Sequence, residues 1–162
     1  RLQPQVARCC ISANRNLEDY ARFGVPVLAD APPEFAGPLA GMLAALRVCE
    51  TPYLATVPCD VPWFPETLVS RLAQALDPAA TDAAVVQVAE PHSDEQQHWR
   101  IQPLFCLVHR TLLPALEAFM AAGGRKAGQW LKDQGAIAVR FDDAPAAFAN
   151  ANSPQELQAL QT

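Results

Sequence analysis

The chain has 162 residues, enough for one domain with a sizeable core. Hydrophobic residues make up 51% and charged residues 18%, a balance that excludes a disordered chain. A net charge of −5 shows no basic face of the kind a nucleic-acid binder carries. It leaves room for a nucleotide, because one phosphate needs only local donors and a metal.

Residues 6–12 read as a buried strand and 16–23 as a short helix. A brief extended run, 25–28, leads to Asp30, and a loop with Pro32, Pro33 and Gly37 follows. Pro38 opens an apolar helix with Leu39, Met42, Leu43 and Leu46 at helical spacing. Residues 53–57 form the next strand, ended by Pro58 and Pro62 around Asp60, since two prolines cannot sit in a central ladder. Pro65 starts a helix with Leu68, Leu72 and Leu76 on one face, and 83–89 is a strand. A polar stretch, 90–100, precedes a strand at 104–108 and a helix at 112–120. After Gly123 and Gly124 comes a helix marked by Ala127, Trp130 and Leu131, then a strand at 136–141. Ser153, Pro154 and Glu156 give the last helix a capping box. This alternation predicts an α/β fold, a mostly parallel sheet covered on both faces, in a single domain over 1–162.

No apolar run approaches the roughly 20 residues of a membrane span, and no signal peptide is visible, so a cytoplasmic location is expected. The five cysteines (Cys9, Cys10, Cys49, Cys59 and Cys106) form no C-x-x-C pair. Buried free thiols are expected, with Cys9, Cys10 and Cys106 inside apolar runs.

In open α/β sheets, ligands bind beyond the carboxyl ends of strands. Three such ends carry polar residues: Ser12-Ala13-Asn14-Arg15, Asp30, and Cys59-Asp60. Asp60, between two prolines, reads either as a preorganised Mg²⁺ ligand or as a residue starting a turn through its own backbone. Gly37 and Gly41 flank a helix start, where they either admit a ligand or serve as punctuation and packing. Arg125 and Lys126 fall in the first turn of a helix, where the dipole disfavours cations; they either collect an anion or lie exposed and screened. For Asn150 and Asn152, spacing alone favours turn formation over ligand binding. His92, His98 and His109 do not match metal spacing, and neither a Walker loop nor a serine elbow occurs.

Together these stretches resemble the molybdenum cofactor guanylyltransferases, within the molybdopterin nucleotidyltransferases. The matching segments are Ala13-Asn14-Arg15, Asp30, Gly37-Pro38-Leu39-Ala40-Gly41, Val57-Pro58-Cys59-Asp60-Val61-Pro62, Gln102-Pro103-Leu104-Phe105, Gly124-Arg125-Lys126 and Asn150-Ala151-Asn152-Ser153-Pro154, in family order. The resemblance implies a Rossmann-like three-layer sandwich of the nucleotide-diphospho-sugar transferase type. It implies transfer of GMP from GTP to Mo-molybdopterin, with Mg²⁺ held partly by Asp60. Ser12, Asp30, Gly37, Gly41 and Asp60 would face the nucleotide; Arg125, Lys126, Asn150 and Asn152 would face the molybdopterin. Other molybdenum cofactor biosynthesis proteins and apo-molybdoenzymes would be partners, and neither nucleic acid nor membrane would be.

Two departures qualify the match. The family's Gly-rich phosphate loop, with the first strand and helix around it, is not found among these 162 residues, so an N-terminally incomplete domain with a hole in its core is expected. Ser12 stands where relatives commonly have Asn, and a hydroxyl cannot present the paired groups of an amide. Transfer of CMP to molybdopterin, or of a nucleotide to a sugar phosphate, is the alternative reaction. A non-catalytic molybdopterin- or partner-binding fragment is the alternative of another class.

Overall fold

The computed structural model describes residues 1–30, 37–77, 79–90, 98–153 and 155–156. Pro32, Pro33, His92 and Pro154, to which the sequence assigns loop, surface and helix-start positions, lie outside the described residues.

Two sheets organise the fold. Strands β1 (Ile11–Ser12) and β2 (Val27–Leu28) pair in parallel and are joined through helix α1 (Leu17–Ala21). The larger sheet has the order β3 (Tyr53–Thr56), β5 (Trp99–His109), β4 (Ala83–Ala89), β6 (Ile137–Arg140). β5 runs antiparallel to both its neighbours, and β4 and β6 are parallel, so three of the four strands point the same way. This is the mostly parallel sheet that strand-helix alternation predicts, with β5 as its reversed member.

Helices α2 (Pro38–Arg47), α4 (Leu113–Ala121) and α5 (Ala127–Asp133) cover one face of the larger sheet, and α3 (Leu68–Ala75) covers the other. Side-chain alternation assigns the two cores. Ala83, Val85, Cys106 and Val108 join Leu39, Leu46, Leu116 and Trp130 on one side. Ala84, Val86, Val88, Phe105 and Leu107 join Leu68, Leu72, Phe141 and Phe148 on the other. The result is a three-layer sandwich.

Several elements depart from the sequence expectation for local reasons. β5 extends well before residue 104, through Pro103, because a register shift opposite Val85 and Val86 places the proline at a bulge, where its missing N–H costs no ladder bond. α3 starts at Leu68, not Pro65; the amide of Val69 donates to Oε1 of Gln5 at 3.0 Å, so the N-terminal segment caps this helix. The strand expected at 6–12 is reduced to Ile11–Ser12, after a 3₁₀ turn at Gln3–Gln5.

Among the described residues no ladder joins the two sheets. Between them lies an apolar groove of about 580 Å³ lined by Val6, Cys10 and Leu28 on one side and by Tyr53, Leu54 and Ala55 on the other. Residues 6–10 border this groove and pair with no strand among the described residues. Cys9 and Cys10 are accordingly only half-buried, as is Cys49, and Cys59 is exposed; the expectation of burial within apolar runs holds for Cys106. Burial pushes the Cys106 thiol up to about 11.

Candidate functional site

Two polar clusters stand at strand carboxyl ends. The first is built on β1 and β2. Ser12 ends β1 and Asn14 follows it by two residues in the next bend, and both side chains reach Asp30 just beyond β2. The Ser12 hydroxyl donates to Asp30 Oδ1 at 3.2 Å, and Asn14 Nδ2 donates to Asp30 Oδ2 at 2.8 Å. The amide of Asp30 returns a bond to Asn14 Oδ1 at 2.9 Å. A side chain and its backbone are thus clipped across the two strand ends.

Gly41 belongs to the same cluster. A Cβ at this position would lie 2.4 Å from Ser12 Oγ and 3.0 Å from Ser12 Cβ, so the glycine lets α2 close onto β1. Gly37 precedes α2 at φ 74°, a conformation suited to glycine, and Pro38 occupies the first helical turn. Of the two readings of Gly41, the structure supplies a packing reason from within the protein.

The second cluster surrounds Asp60. Thr56 Oγ1 donates to the carbonyl of Leu104 at 2.8 Å and ties the end of β3 to β5. Val61 and Phe64, just beyond Asp60, are buried. Asp60 is therefore held between a strand end and two core anchors. Its carboxylate makes no hydrogen bond to the amides of its own turn among the described residues. Instead Oδ2 accepts from Asn150 Nδ2 at 3.0 Å, and the Asp60 carbonyl accepts from the amide of Ala151 at 2.7 Å. Sequence reasoning singled out both residues but did not join them, because they lie 90 positions apart. Asn14 is visible in the sequence only within Ala13-Asn14-Arg15, just after the first strand.

The remaining candidates, Arg125, Lys126 and Asn152, make no hydrogen bond to either carboxylate among the described residues. α5 begins at Ala127, so Arg125 stands before the helix and Lys126 at its cap, not in its first turn. The reason is local: Arg125 Nη1 donates to the carbonyls of Met120 at 2.8 Å and Gly124 at 2.7 Å, closing the end of α4. The Glu156 amide donates to Ser153 Oγ at 3.2 Å, which is the Ser153 half of the expected capping box; Glu156 Oε2 accepts at 2.6 Å from the backbone amide of Asn152, one residue before the cap.

Among the described residues no group of three or more His, Cys, Asp or Glu side chains could hold a metal ion. A lone fixed carboxylate suits one kind of cation: Mg²⁺, whose other ligands come from substrate phosphates and water. The donor set at Asp60 fits that ion and does not make a closed metal cage. Among the described residues, no helix is long and apolar enough to cross a membrane.

A three-layer α/β sandwich with carboxylates at its strand ends, one of them suited to a nucleotide-bound cation, defines the class as a nucleotidyltransferase. The comparisons agree. A family profile for the MobA-like NTP transferase domain matches residues 1–138, and the chain belongs to that family. A protein of Methylibium petroleiphilum named molybdenum cofactor guanylyltransferase is 51% identical over 163 residues, covering 100% of this chain and 78% of the relative. Its namesake in Ralstonia nicotianae is 48% identical over 160 residues, covering 99% of this chain and 78% of the relative. Among solved structures, molybdopterin-guanine dinucleotide biosynthesis protein A of Archaeoglobus fulgidus superposes with a TM-score of 0.67 at 19% identity, over 93% of this chain and 75% of that one. A Thermus thermophilus 2-C-methyl-D-erythritol 4-phosphate cytidylyltransferase does so at 0.69 and 16%, over 96% and 81%. These last two likenesses establish the fold, which is that of the nucleotide-diphospho-sugar transferases.

Proposed function

We propose that this nucleotidyltransferase moves GMP from GTP to the terminal phosphate of Mo-molybdopterin, giving the guanine dinucleotide cofactor and pyrophosphate. The relatives that bear the guanylyltransferase name are about half identical to this chain over nearly all its length, which supports GTP and molybdopterin as its substrates. The single structural observation that carries the reaction is the Asp60 carboxylate, fixed at a strand end with Oδ2 engaged by Asn150.

The chemistry asks for positioning and charge neutralisation. An oxygen of the acceptor phosphate attacks the α-phosphorus of GTP in line, the new P–O bond forms, and the bond to the β-phosphate oxygen breaks to release pyrophosphate. The nucleophile is already an anion, so no general base is needed. Asp60 would hold Mg²⁺, which when bound neutralises charge developing on the phosphates. The Asp30–Ser12 cluster, with α2 beginning at Gly37 and packed through Gly41, would face the nucleotide. Lys126, Asn152 and the segment around Asn150 would face the molybdopterin. Arg125 would reach the acceptor with the part of its guanidinium that does not close α4. The domain would work in the cytoplasm, where GTP is available and thiols stay reduced.

The test is an assay with Mg²⁺, molybdopterin and either GTP or CTP. Pyrophosphate and the guanine dinucleotide should form from GTP. Preference for CTP would replace this reading with cytidylyl transfer, and turnover of neither would support the non-catalytic reading.

A further inference from the structure

We propose that Asn150 is a positioning residue for the metal-binding carboxylate: it occupies one oxygen of Asp60 so that the carboxylate meets a cation through the other alone. The inference rests on the metal reading of Asp60 given above, and it assigns Asn150 to the metal side of the site and not to the acceptor.

The contact is built from both directions. Asn150 Nδ2 donates to Asp60 Oδ2 at 3.0 Å, and the next residue's amide donates to the Asp60 carbonyl at 2.7 Å. Two bonds in succession fix the segment against the Asp60 turn. Upstream, Phe148 is buried and packs edge-on against Phe105 at 5.0 Å and Phe141 at 5.3 Å, so the backbone enters this contact from a core anchor. Downstream, the Asn152 amide donates to the Glu156 carboxylate and the Glu156 amide donates to Ser153 Oγ, which holds the other side. An exposed asparagine between two such anchors has little freedom to swing towards another ligand.

The consequence is chemical. The terminal torsion of an Asp carboxylate is broad, so without a partner both oxygens sample the site. A donor on Oδ2 selects one orientation and leaves Oδ1, which accepts no hydrogen bond among the described residues, to face the cation. One-oxygen ligation suits Mg²⁺, which is small and holds to a strict octahedron. Ca²⁺ gains from two-oxygen ligation, which a donor on Oδ2 opposes. Asn150 thereby favours Mg²⁺ over Ca²⁺ as well as orienting the ligand. Groups that orient metal-binding side chains typically change metal affinity by 10–100-fold.

Calorimetric titration of GTP into the chain, in chelator, in Mg²⁺ and in Ca²⁺, reads this without turnover. In Asn150→Ala the Mg²⁺-dependent gain in GTP affinity should fall about tenfold, with affinity in chelator unchanged and the Mg²⁺ preference over Ca²⁺ narrowed. Asn150→Gln, which keeps an amide donor, should recover part of the gain. A melting temperature like that of wild type verifies that the variants are folded. An unchanged Mg²⁺ effect in Asn150→Ala, with a raised molybdopterin KM instead, would overturn the inference and return Asn150 to the acceptor. If Asp60→Asn also leaves the Mg²⁺ effect intact, the metal reading of Asp60 fails as well, which separates the two failures.

Discussion

The two sheets carry one polar cluster each, yet they are supported in different ways. The four-stranded sheet is packed on both faces, and Asp60 stands beside buried Val61 and Phe64 and, through Asn150, close to Phe148. The two-stranded sheet contributes no buried residue of its own, and its inner side borders the apolar groove. Asp30 is held by hydrogen bonds from Ser12 and Asn14 and by the approach of α2 at Gly41. A cluster can thus be fixed by core packing or by polar clips over a thin support. The second kind should be the more easily perturbed, while the first should resist everything short of a core mutation.

The contrast is tested most strongly in the core. Phe105→Ala, at a side chain touching both Phe64 and Phe148, should cost about 3–5 kcal/mol in denaturant unfolding. Leu28→Ala, on the groove, should cost under about 1 kcal/mol, because its surroundings are already open on one side. Equal losses would mean that the two halves are supported alike.

Next in size is Gly41→Ala. The new methyl meets Ser12 at 2.4 Å, and overpacking of this kind costs about 1–3 kcal/mol. Ser12→Ala in the same chain should recover part of the stability but not the GTP affinity, since it removes the hydroxyl that bonds Asp30. Recovery of both would show that Ser12 serves packing alone.

Thiol accessibility and alkaline pH give a smaller effect. Cys59 should alkylate first, Cys10 and Cys49 on the groove more slowly, and Cys106 only on unfolding. The folded Cys106 thiol is raised from 9.0 to about 11, so its contribution to stability is complete below pH 9 and is lost as pH rises towards 11. Chemical denaturation across that range should show a decline that Cys106→Ala lessens.

The smallest effect is expected at Asp143. A hydrogen bond from Arg71 holds its carboxyl below the usual value of 3.8, so its contribution is present above that pH and is lost as pH falls beneath it. Asp143→Asn should lower stability slightly at neutral pH and leave it unchanged in strong acid, which flattens the acid limb of the pH profile.

Much of this organisation is legible in the sequence, and what is not has physical causes. The strand at 83–89 reads directly, because a continuous apolar run buried on both faces has few alternatives. β5 is under-read, because Pro103 looks like a stop until a bulge accommodates it. The start of α3 is hidden, since its cap comes from Gln5, more than sixty positions away. Asp60 and Asp30 are visible through their places after strands. The Asp60–Asn150 bond is not, because no local spacing connects the end of β3 to a segment that returns only after β6.

The central claim is that Asp60 works through its charge on a nucleotide-bound cation. Asp60→Asn keeps the size of the side chain and removes that charge. With GTP, Mg²⁺ and molybdopterin, the variant should form pyrophosphate about 10²–10³-fold more slowly than wild type, while its unfolding free energy changes by no more than about 0.5 kcal/mol. Wild-type turnover by a folded Asp60→Asn at saturating Mg²⁺ would contradict the account.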